Sequence, residues 1–308
     1  MKYSIIVLLE EEHQDFPKFI KNLNALFSKR RDPWEILIIA NGRGRFLRHI
    51  LKELPIEESR LKAFEFTTKT TQAVCINAAL NDVNGDVLVV CGSYQQITED
   101  SFFKLLDGLN KQIDIIVPWR QNRVDTAFKQ FQSRAFNYLV RRLTRSDLHD
   151  VSCSVTVFRR KVLQETDIYG NMYRFLPILA RRKGFKTKEV ECDHYQERGK
   201  TGFYSLSEYI NRFIDIFTLY FTSRFTKKPF RFFSSIGVVF ISGGLIITMS
   251  LFVQRFFMDT RIGDRLSLFL SLLLMILGIL VWSVGLLGEI IAFANGRHKR
   301  EYTIEREL

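Results

Sequence analysis

Residues 4–9, Ser4-Ile5-Ile6-Val7-Leu8-Leu9, and residues 36–39, Ile36-Leu37-Ile38-Ile39, are the two stretches that decide the fold. Neither run alternates apolar with polar residues, as a strand with one face in water would. Continuous apolar runs of this length are typical of strands covered on both faces, and helical patterns at 14–29 and 44–54 follow them. The sequence therefore predicts an α/β protein with a doubly wound, mostly parallel sheet.

The same alternation continues to about residue 192. The two opening stretches predict strands at Tyr3–Leu9 and Glu35–Ala40. Further strands are predicted at Leu61–Phe66, Asp86–Val90, Ile113–Pro118, Ser154–Phe158 and Lys186–Glu191. The helices between them are predicted near 71–82, 99–110, 126–144 and 172–183. Such sheets bind ligands at the carboxyl ends of their strands, so the candidate site lies in the residues that follow each strand.

Two further stretches, 232–253 and 266–288, contain no charged residue. Each exceeds the roughly 20 residues that a helix needs to cross a bilayer, whereas a buried core helix is usually shorter. The short connection between them predicts a helical hairpin. The mean hydropathy of −0.02 is therefore an average over a charged part and a strongly apolar part. With 46% hydrophobic and 25% charged residues, the chain is neither disordered nor fibrous.

The positive charge of the chain, +12 in total, is concentrated next to the apolar stretches. Between residues 181 and 231 there are 12 Lys and Arg against 6 Asp and Glu, which favours anionic lipid or a lipid phosphate as a partner. No nucleic-acid-binding motif accompanies the charge, so nucleic acid is not expected to be a partner. Within 201–231, the stretch Ser205–Phe225 has an aromatic residue at every fourth position from Tyr209 to Phe221. This predicts an amphipathic helix lying in the membrane interface, with a core helix of the soluble domain as the alternative. The Lys and Arg that flank the two spans predict that both termini are cytoplasmic.

The four cysteines have no Cys-x-x-Cys spacing, which is typical of reduced cytosolic thiols.

Several motifs occur in an order that covers nearly the whole chain. They are Ser4–Val7 with Glu11-Glu12, Asn84–Val90 with Gln95 and Glu99, Asp150–Ser154 with Phe158-Arg159-Arg160, Arg174–Pro177, His194 with Arg198–Thr201, and Leu287-Gly288-Glu289. In this order, and followed by two spans, they resemble the polyprenyl-phosphate glycosyltransferases of glycosyltransferase family 2. That family includes dolichol-phosphate mannose synthase and bacterial undecaprenyl-phosphate sugar transferases.

The resemblance implies a GT-A (Rossmann-like) domain at 1–200, a juxtamembrane amphipathic helix at 201–231, two transmembrane helices within 232–294 and a cytosolic tail at 295–308. The spans themselves are expected at about 232–253 and 266–291. The family implies transfer of a hexose from a nucleotide sugar to polyprenyl phosphate at a bilayer. It also implies assembly into homo-oligomers and location in a bacterial inner membrane.

The family's pattern implies where the ligands would bind, and Lys69, Arg120 and Arg123 are added because they follow strand ends on the ligand-binding edge. For Lys69 and Arg123 the alternative is an ordinary solvated surface charge. The donor-binding positions are Glu11, Asn41, Lys69, Gln95, Arg120 and Arg123. The acceptor phosphate would be bound by Ser154, Arg198 and Lys200.

Two signatures on the donor side of this pattern have lost their carboxylates. Where the family has a metal-binding Asp-x-Asp, this chain has Cys91-Gly92-Ser93, and where it has an Asp-Asp pair, this chain has Ala40-Asn41. Hard cations such as Mg²⁺ or Mn²⁺ prefer carboxylate oxygens, so no metal cofactor is expected. The alternatives are a metal recruited by Glu99 and Asp100, and a leaving group stabilised by Lys69, Arg120 and Arg123.

Two hypotheses follow for the function. One is a membrane-anchored hexosyltransferase whose activity is reduced or lost because the carboxylates are absent. The other is a pseudoenzyme that acts as a scaffold or regulator and binds lipid phosphate or an active glycosyltransferase partner. Catalytic residues are not assigned by the sequence.

Overall fold

The computed structural model describes residues 1–10, 15–42, 44–51, 54, 59–121, 127–195, 213–221, 229–258 and 266–296. The chain divides into two compact units, Met1–Ile216 and Phe217–Glu301. The first unit contains the sheet and the second contains two long apolar helices.

Seven strands form the sheet of the first unit. They are β1 (Tyr3–Leu9), β2 (Trp34–Asn41), β3 (Leu61–Phe66), β4 (Val87–Cys91), β5 (Ile115–Gln121), β6 (Thr156–Arg159) and β7 (Thr187–Asp193). The helices are α1 (Phe16–Ser28), α2 (Gly44–Leu51), α3 (Gln72–Asp82), α4 (Glu99–Gly108), α5 (Ala127–Thr144), α6 (Arg160–Glu165) and α7 (Leu176–Arg182), with a 3₁₀ turn at Met172–Phe175.

The strand order is β3-β2-β1-β4-β6-β5-β7. All neighbouring pairs are parallel except those that involve β6, which runs antiparallel to both β4 and β5. Every residue of β1, β2 and β4 is buried, and separate apolar clusters cover the two faces of the sheet. This confirms the predicted α/β class, because continuous apolar strands require cover on both faces.

The sequence located all seven strands, with ends that differ by up to three residues. β5 shows the largest difference, because it extends three residues beyond Pro118, to Gln121. Pro118 is tolerated in this strand although its nitrogen cannot donate to a ladder. The short helix α6 was not predicted, since its six residues are too few to show a helical period.

The second unit contains helices α8 (Pro229–Met258) and α9 (Leu266–Gly296), both long and apolar enough to cross a membrane. They pack as a hairpin in which glycines of the two helices come close to one another. A Cβ on Gly278 would lie 2.8 Å from the carbonyl oxygen of Gly237, and one on Gly237 would lie 2.7 Å from that of Gly278. Such close backbone approach is typical of helix packing in lipid. At one end of the hairpin, the backbone N–H of Phe230 donates to Oε2 of Glu289 at 3.3 Å.

Part of the predicted juxtamembrane helix is described, because residues 213–221 are helical. Within the second unit, the ring of Phe221 lies 6.4 Å from that of Phe217 and 6.1 Å from that of Phe233. Residues 201–212 and 222–228 lie outside the described residues, so the predicted helix over 201–231 stays a prediction.

Candidate functional site at the carboxyl edge of the sheet

Six of the seven strands point the same way, so their carboxyl ends meet along one edge of the sheet. The residues at these ends include Glu10, Asn41, Cys91, Gln121 and Asp193. Ligands of doubly wound sheets bind along this edge, in the crevices that the loops leave open. Of the sequence-predicted donor residues that the structure describes, Asn41 and Arg120 lie near the carboxyl ends of β2 and β5, and Lys69 and Gln95 lie on the loops after β3 and β4.

Cys91, the first residue of the altered metal motif, points into the apolar core. Its side chain is 1% exposed and belongs to the apolar cluster on one face of the sheet. Burial raises the pKa of the Cys91 thiol well above its usual range, and the nearby Cys153 raises it further, so the thiol stays protonated at neutral pH. A buried neutral thiol is not a ligand for a hard cation.

The other two residues of the motif offer no better ligand. Ser93 is buried. Gly92 leaves no room for a side chain, because a Cβ there would lie 2.9 Å from Oγ of Ser154. The described residues at the end of β4 therefore do not fit a Mg²⁺ or Mn²⁺ ion. Among all residues that the structure describes, no group of three or more His, Cys, Asp or Glu side chains could hold a metal ion.

Ser154 lies beside this motif. Its backbone N–H donates to Oε1 of Gln96 at 2.8 Å. Its Oγ atom is buried and has no hydrogen-bond partner among the described residues. A buried hydroxyl without a partner is uncommon, because it loses its hydrogen bonds to water. Ser154 is therefore a position where a ligand oxygen or a bound water would be stabilised.

Two adjacent glutamines fix the loop that follows β4. Gln95 binds helix α1, and Gln96 binds the segment before β6. Oε1 of Gln95 accepts from Asn22 of α1 at 3.0 Å, and its Nε2 donates to the carbonyl of Ile97 at 3.1 Å. The Oε1 atom of Gln96 accepts from Ser154 and also from Sγ of Cys153 at 3.2 Å. Gln95, a predicted donor ligand, thus binds α1. Gln96 was not singled out by the sequence, and no pattern there pointed to it.

Asn41 ends β2 and binds the backbone of the loop after β3. Its Nδ2 donates to the carbonyl of Thr70 at 2.9 Å, and its Oδ1 accepts from the N–H of Thr70 at 2.7 Å. Gly42 has a φ of +72°, and a Cβ there would lie 3.3 Å from the nitrogen of Lys69. Lys69 is exposed beside this turn. The pair of bonds from Asn41 therefore holds the loop in the position from which the Lys69 side chain extends.

Arg120, near the end of β5, forms a buried ion pair. Its Nε donates to Oδ2 of Asp150 at 2.7 Å, and the two side chains are 5% and 4% exposed. Its Nη2 also donates to Oγ of Ser152 at 2.8 Å, and Ser152 Oγ donates to Oδ1 of Asp150 at 2.6 Å. The charge of Arg120 is thus largely balanced by Asp150, which fixes the segment before β6 against β5.

A polar cavity of about 250 Å³ lies next to this ion pair. It is lined by Trp119, Arg120, Gln121, Gln130, Ser133, Arg134, Asn137, His149 and Asp150. The His149 ring stacks on Trp119 with 4.2 Å between ring centroids, and its Nδ1 lies 2.8 Å from Oε2 of Glu189. Arg134 is exposed. Among the residues that the structure describes, its Nη2 donates to Oε1 of Gln130, one turn earlier in the same helix, at 3.1 Å. The cavity therefore combines a cation with amide and hydroxyl groups, which suits an anionic ligand.

All four cysteines are free thiols, and all are buried. Cys91, Cys153 and Cys192 belong to one apolar cluster. Burial, reinforced by the neighbouring Cys153, raises the pKa of Cys192 to about 12. These thiols are therefore core residues that are protonated at neutral pH.

Other predicted residues lie on helix starts or outside the described residues. Glu99 and Asp100 begin α4, where Oε2 of Glu99 lies 3.3 Å from Nζ of Lys29. Acidic residues are favoured in the first turn of a helix. The predicted residues outside the described ranges are Glu11, Arg123, Arg198 and Lys200.

Comparisons with known proteins place this geometry in context. The model of the family described as "Glycosyl transferase family 2" matches residues 4–167, just over half of the chain. A dodecaprenyl-phosphate galacturonate synthase from Rhizobium johnstonii is 23% identical over 297 residues, 95% of this chain and 88% of the relative. An undecaprenyl-phosphate 4-deoxy-4-formamido-L-arabinose transferase from Erwinia tasmaniensis is 26% identical over 311 residues, 99% of this chain and 94% of the relative.

Among solved structures, glucosyl-3-phosphoglycerate synthase from Mycobacterium tuberculosis, in complex with Mn²⁺, UDP and phosphoglyceric acid, resembles the chain with a TM-score of 0.54. The two are 10% identical, and the likeness covers 72% of this chain and 78% of that one. At this identity the likeness shows the fold alone, and it confirms the expected GT-A architecture.

Proposed function

The chain belongs to glycosyltransferase family 2, and from that premise we propose that it is a membrane-anchored protein of the type that transfers a hexose from a nucleotide sugar to polyprenyl phosphate, with reduced or lost activity. Relatives that match over almost the whole chain are named as undecaprenyl- and dodecaprenyl-phosphate sugar transferases or synthases. The two long apolar helices support a protein that meets its lipid substrate in the bilayer.

The cavity at the end of β5 supports an anionic acceptor. Arg134 provides the charge, because Arg120 is balanced by Asp150, and Ser133, Gln121 and Asn137 are also present in the lining. A phosphate group accepts several hydrogen bonds and is bound best by a guanidinium with neighbouring neutral donors. Polyprenyl phosphate carries such a group. Ser154, together with the predicted Arg198 and Lys200, would add to the acceptor site.

The observation that carries the reduced activity is the burial of Cys91 in the apolar core. The diphosphate of a nucleotide sugar carries two negative charges, and it gains a third when the bond to the sugar breaks, so the leaving group needs stabilisation from a metal or from cations. The described end of β4 does not fit a metal, and Lys69 is the exposed cation among the described donor candidates. A single flexible ammonium group stabilises a diphosphate less well than a bound divalent ion, so slow transfer is expected.

A second candidate function is a pseudoenzyme scaffold that binds lipid phosphate or an active glycosyltransferase. It is favoured by the roles that the donor-side residues have in the fold. Asn41 binds Thr70, Gln95 binds Asn22, and Arg120 binds Asp150. Each of these side chains stabilises a loop, which would preserve the surface of the fold in the absence of a nucleotide.

Donor binding separates the two functions. The full chain, purified in a nanodisc, is titrated with UDP- and GDP-sugars by calorimetry, once with Mn²⁺ and once with EDTA. The proposed transferase binds a donor equally under both conditions, and replacing Lys69 by Gln weakens that binding. Lys18→Gln, which alters an exposed lysine of α1, serves as the matched control. If no donor binds under either condition, the proposal that the chain is a transferase is wrong. The pseudoenzyme scaffold is then the function that is kept.

Acceptor binding is tested independently with polyprenyl phosphate. Arg134→Gln is expected to weaken binding of the phosphorylated lipid, while binding of the corresponding polyprenol, which has no phosphate, stays unchanged. The same result is expected for Arg198→Ala and Lys200→Ala. Equal affinity of the variants and the unmodified chain for polyprenyl phosphate would contradict the acceptor assignment.

The remaining elements of the proposal concern location and assembly. The Lys and Arg that flank the two apolar stretches support cytoplasmic termini, and the bacterial relatives support a bacterial inner membrane. Homo-oligomerisation is proposed from the family alone. Labelling of cysteines introduced in the 259–265 connection and in the tail, from either side of sealed vesicles, tests the topology.

A further inference from the structure

The ring of His149, which lines the polar cavity, is held in place from two sides. Its Nδ1 atom lies 2.8 Å from Oε2 of Glu189 on β7. The ring also stacks on Trp119 of β5, with 4.2 Å between the ring centroids and 15° between the planes. The side chain is 43% exposed and would otherwise rotate in solvent, so these two contacts give the imidazole a fixed orientation.

Glu189 determines which nitrogen of this ring carries a proton. Its Oε1 accepts from the backbone N–H of His149 at 2.5 Å and from that of Asp150 at 3.2 Å, while its Oε2 faces Nδ1. A carboxylate that accepts backbone N–H groups has no proton to give, so the proton of the ring contact is on Nδ1. Nε2 is therefore the ring nitrogen that is left for a ligand, and it has no hydrogen-bond partner among the described residues.

The charged groups around this ring come from β5, β7, α5, α7 and the segment before β6. They are Arg120, Glu189, Arg134, Arg181, Asp147 and Asp150. Carboxylates balance the charges of Arg120 and Arg181. Within the part of the chain that the structure describes, Arg134 is in no ion pair. An anion that enters the cavity would therefore meet Arg134 and the Nε2 atom of His149.

We propose that His149 binds the acceptor phosphate in its doubly protonated form, so that binding of the phosphate takes up one proton from solvent. The proposal rests on the acceptor function proposed above for this cavity. With a phosphate oxygen at Nε2, the imidazolium would donate to one anion from each ring nitrogen, to Glu189 from Nδ1 and to the phosphate from Nε2. Hydrogen bonds between ionised groups are short and strong, and the face of Trp119 attracts the positive charge that lies over it.

Uptake of a proton makes the affinity depend on pH in a defined direction. Binding of the proton and binding of the anion are linked, so each strengthens the other. Histidine gains its charge near neutral pH, so the affinity for a ligand of constant charge should rise as the pH falls from about 8 to about 6. A phosphate monoester is not such a ligand, because its own second ionisation lies at about pH 6. A sulfate monoester has the same tetrahedral shape and keeps a single negative charge throughout this range.

Binding of polyprenyl sulfate to the full chain in phosphatidylcholine nanodiscs tests the proposal. The affinity is measured at about pH 8 and about pH 6 in buffers that contain no phosphate. The unmodified chain should bind about fivefold more tightly at the lower pH. This is a small effect for a charge-assisted hydrogen bond, because solvent screens a ring that is 43% exposed. Calorimetry with polyprenyl phosphate, in two buffers with different heats of ionisation, compares the proton uptake of the unmodified chain with that of the variants.

Two variants remove the added proton without removing the polar groups. His149→Gln provides a neutral amide and should bind polyprenyl sulfate equally at both pH values. Glu189→Gln should also lose the pH dependence, because its amide can donate to Nδ1, which moves the ring proton to Nε2 and leaves a neutral donor there. His49→Gln changes an exposed histidine of α2 that does not line the cavity, and it should keep the pH dependence. The melting temperature of each variant shows whether it is folded.

Three results would overturn the proposal. One is an affinity of the unmodified chain for polyprenyl sulfate that is the same at both pH values, and another is a pH dependence that His149→Gln leaves unchanged. Either result would leave the acceptor function of the cavity in place. The third is that neither polyprenyl sulfate nor polyprenyl phosphate binds at either pH, which would refute the acceptor function as well. If only polyprenyl phosphate binds, equal proton uptake by the unmodified chain and by His149→Gln would contradict the role of His149.

Discussion

Replacing Cys91 by Asp tests the central argument about the missing carboxylate. The substitution restores the first carboxylate of the metal motif, but the side chain at this position is 1% exposed within an apolar cluster. Burial disfavours the charged form, and a rise of about two pKa units is modest for a fully buried carboxyl. That rise corresponds to about 2.7 kcal/mol of lost stability at neutral pH. For a unit of this size we expect the melting temperature to fall by about 5–10 °C.

The pH dependence isolates the charge from the change of shape. Cys91→Asn is the matched control, because it has nearly the same volume and remains neutral. The carboxyl has a raised pKa in the folded chain, so its penalty is absent below the unfolded pKa of about 3.9 and complete above about pH 6. The difference in melting temperature between the two variants should therefore grow as the pH rises from 4 to about 7.

Melting is followed by tryptophan fluorescence of the purified full chain in detergent, with and without Mn²⁺. If Cys91→Asp and Cys91→Asn melt together at pH 8 without metal, the new carboxylate reaches water and the argument from burial is refuted. If Mn²⁺ raises the melting temperature of Cys91→Asp alone, the end of β4 fits a metal after all.

Three further predictions follow from contacts of the described residues. Asp150→Asn should lower the stability of the first unit by about 3–5 kcal/mol, because it leaves the charge of Arg120 buried and unbalanced. The measurement is the denaturant midpoint of unfolding, and a midpoint equal to that of the unmodified chain would contradict the prediction. Gly278→Ala should weaken the helical hairpin, seen as a lower melting temperature by circular dichroism, since its Cβ would lie 2.8 Å from a backbone oxygen. Gly243→Ala, with no atom within 4 Å of the new Cβ, should be neutral, and an equal effect of both would refute close packing. All four thiols should resist alkylation at pH 8 in the native chain and react in denaturant, and fast native labelling counted by mass spectrometry would show that they are accessible.

Much of the fold could be predicted because it depends on local apolar patterns. The runs at Ser4–Leu9 and Ile36–Ile39 have the length and continuity of covered strands, and the structure places them in β1 and β2. The same holds for the uncharged stretches, which became α8 and α9. Element ends were less certain, as in β5, where tertiary pairing with β7 extends the strand past a proline.

The contacts of the site could not be read from the sequence, because they join residues far apart in the chain. Arg120 and Asp150 are 30 residues apart, and Gln95 and Asn22 are 73 apart. The sequence showed that Arg120 and Gln95 follow strands on the ligand-binding edge. It did not show that each side chain would bind another part of the protein. The inward direction of Cys91 follows from the pleat, but its burial depends on the helices that cover that face.

The bond between Phe230 and Glu289 has a mechanical consequence for the hairpin. Sliding α8 past α9 by one turn is a shift of about 5.4 Å. Such a shift would break this bond and bring residues with a Cβ into the place where the backbones of Gly237 and Gly278 meet. These contacts therefore oppose sliding of α8 past α9, so the two helices are expected to tilt or rotate together as one piece.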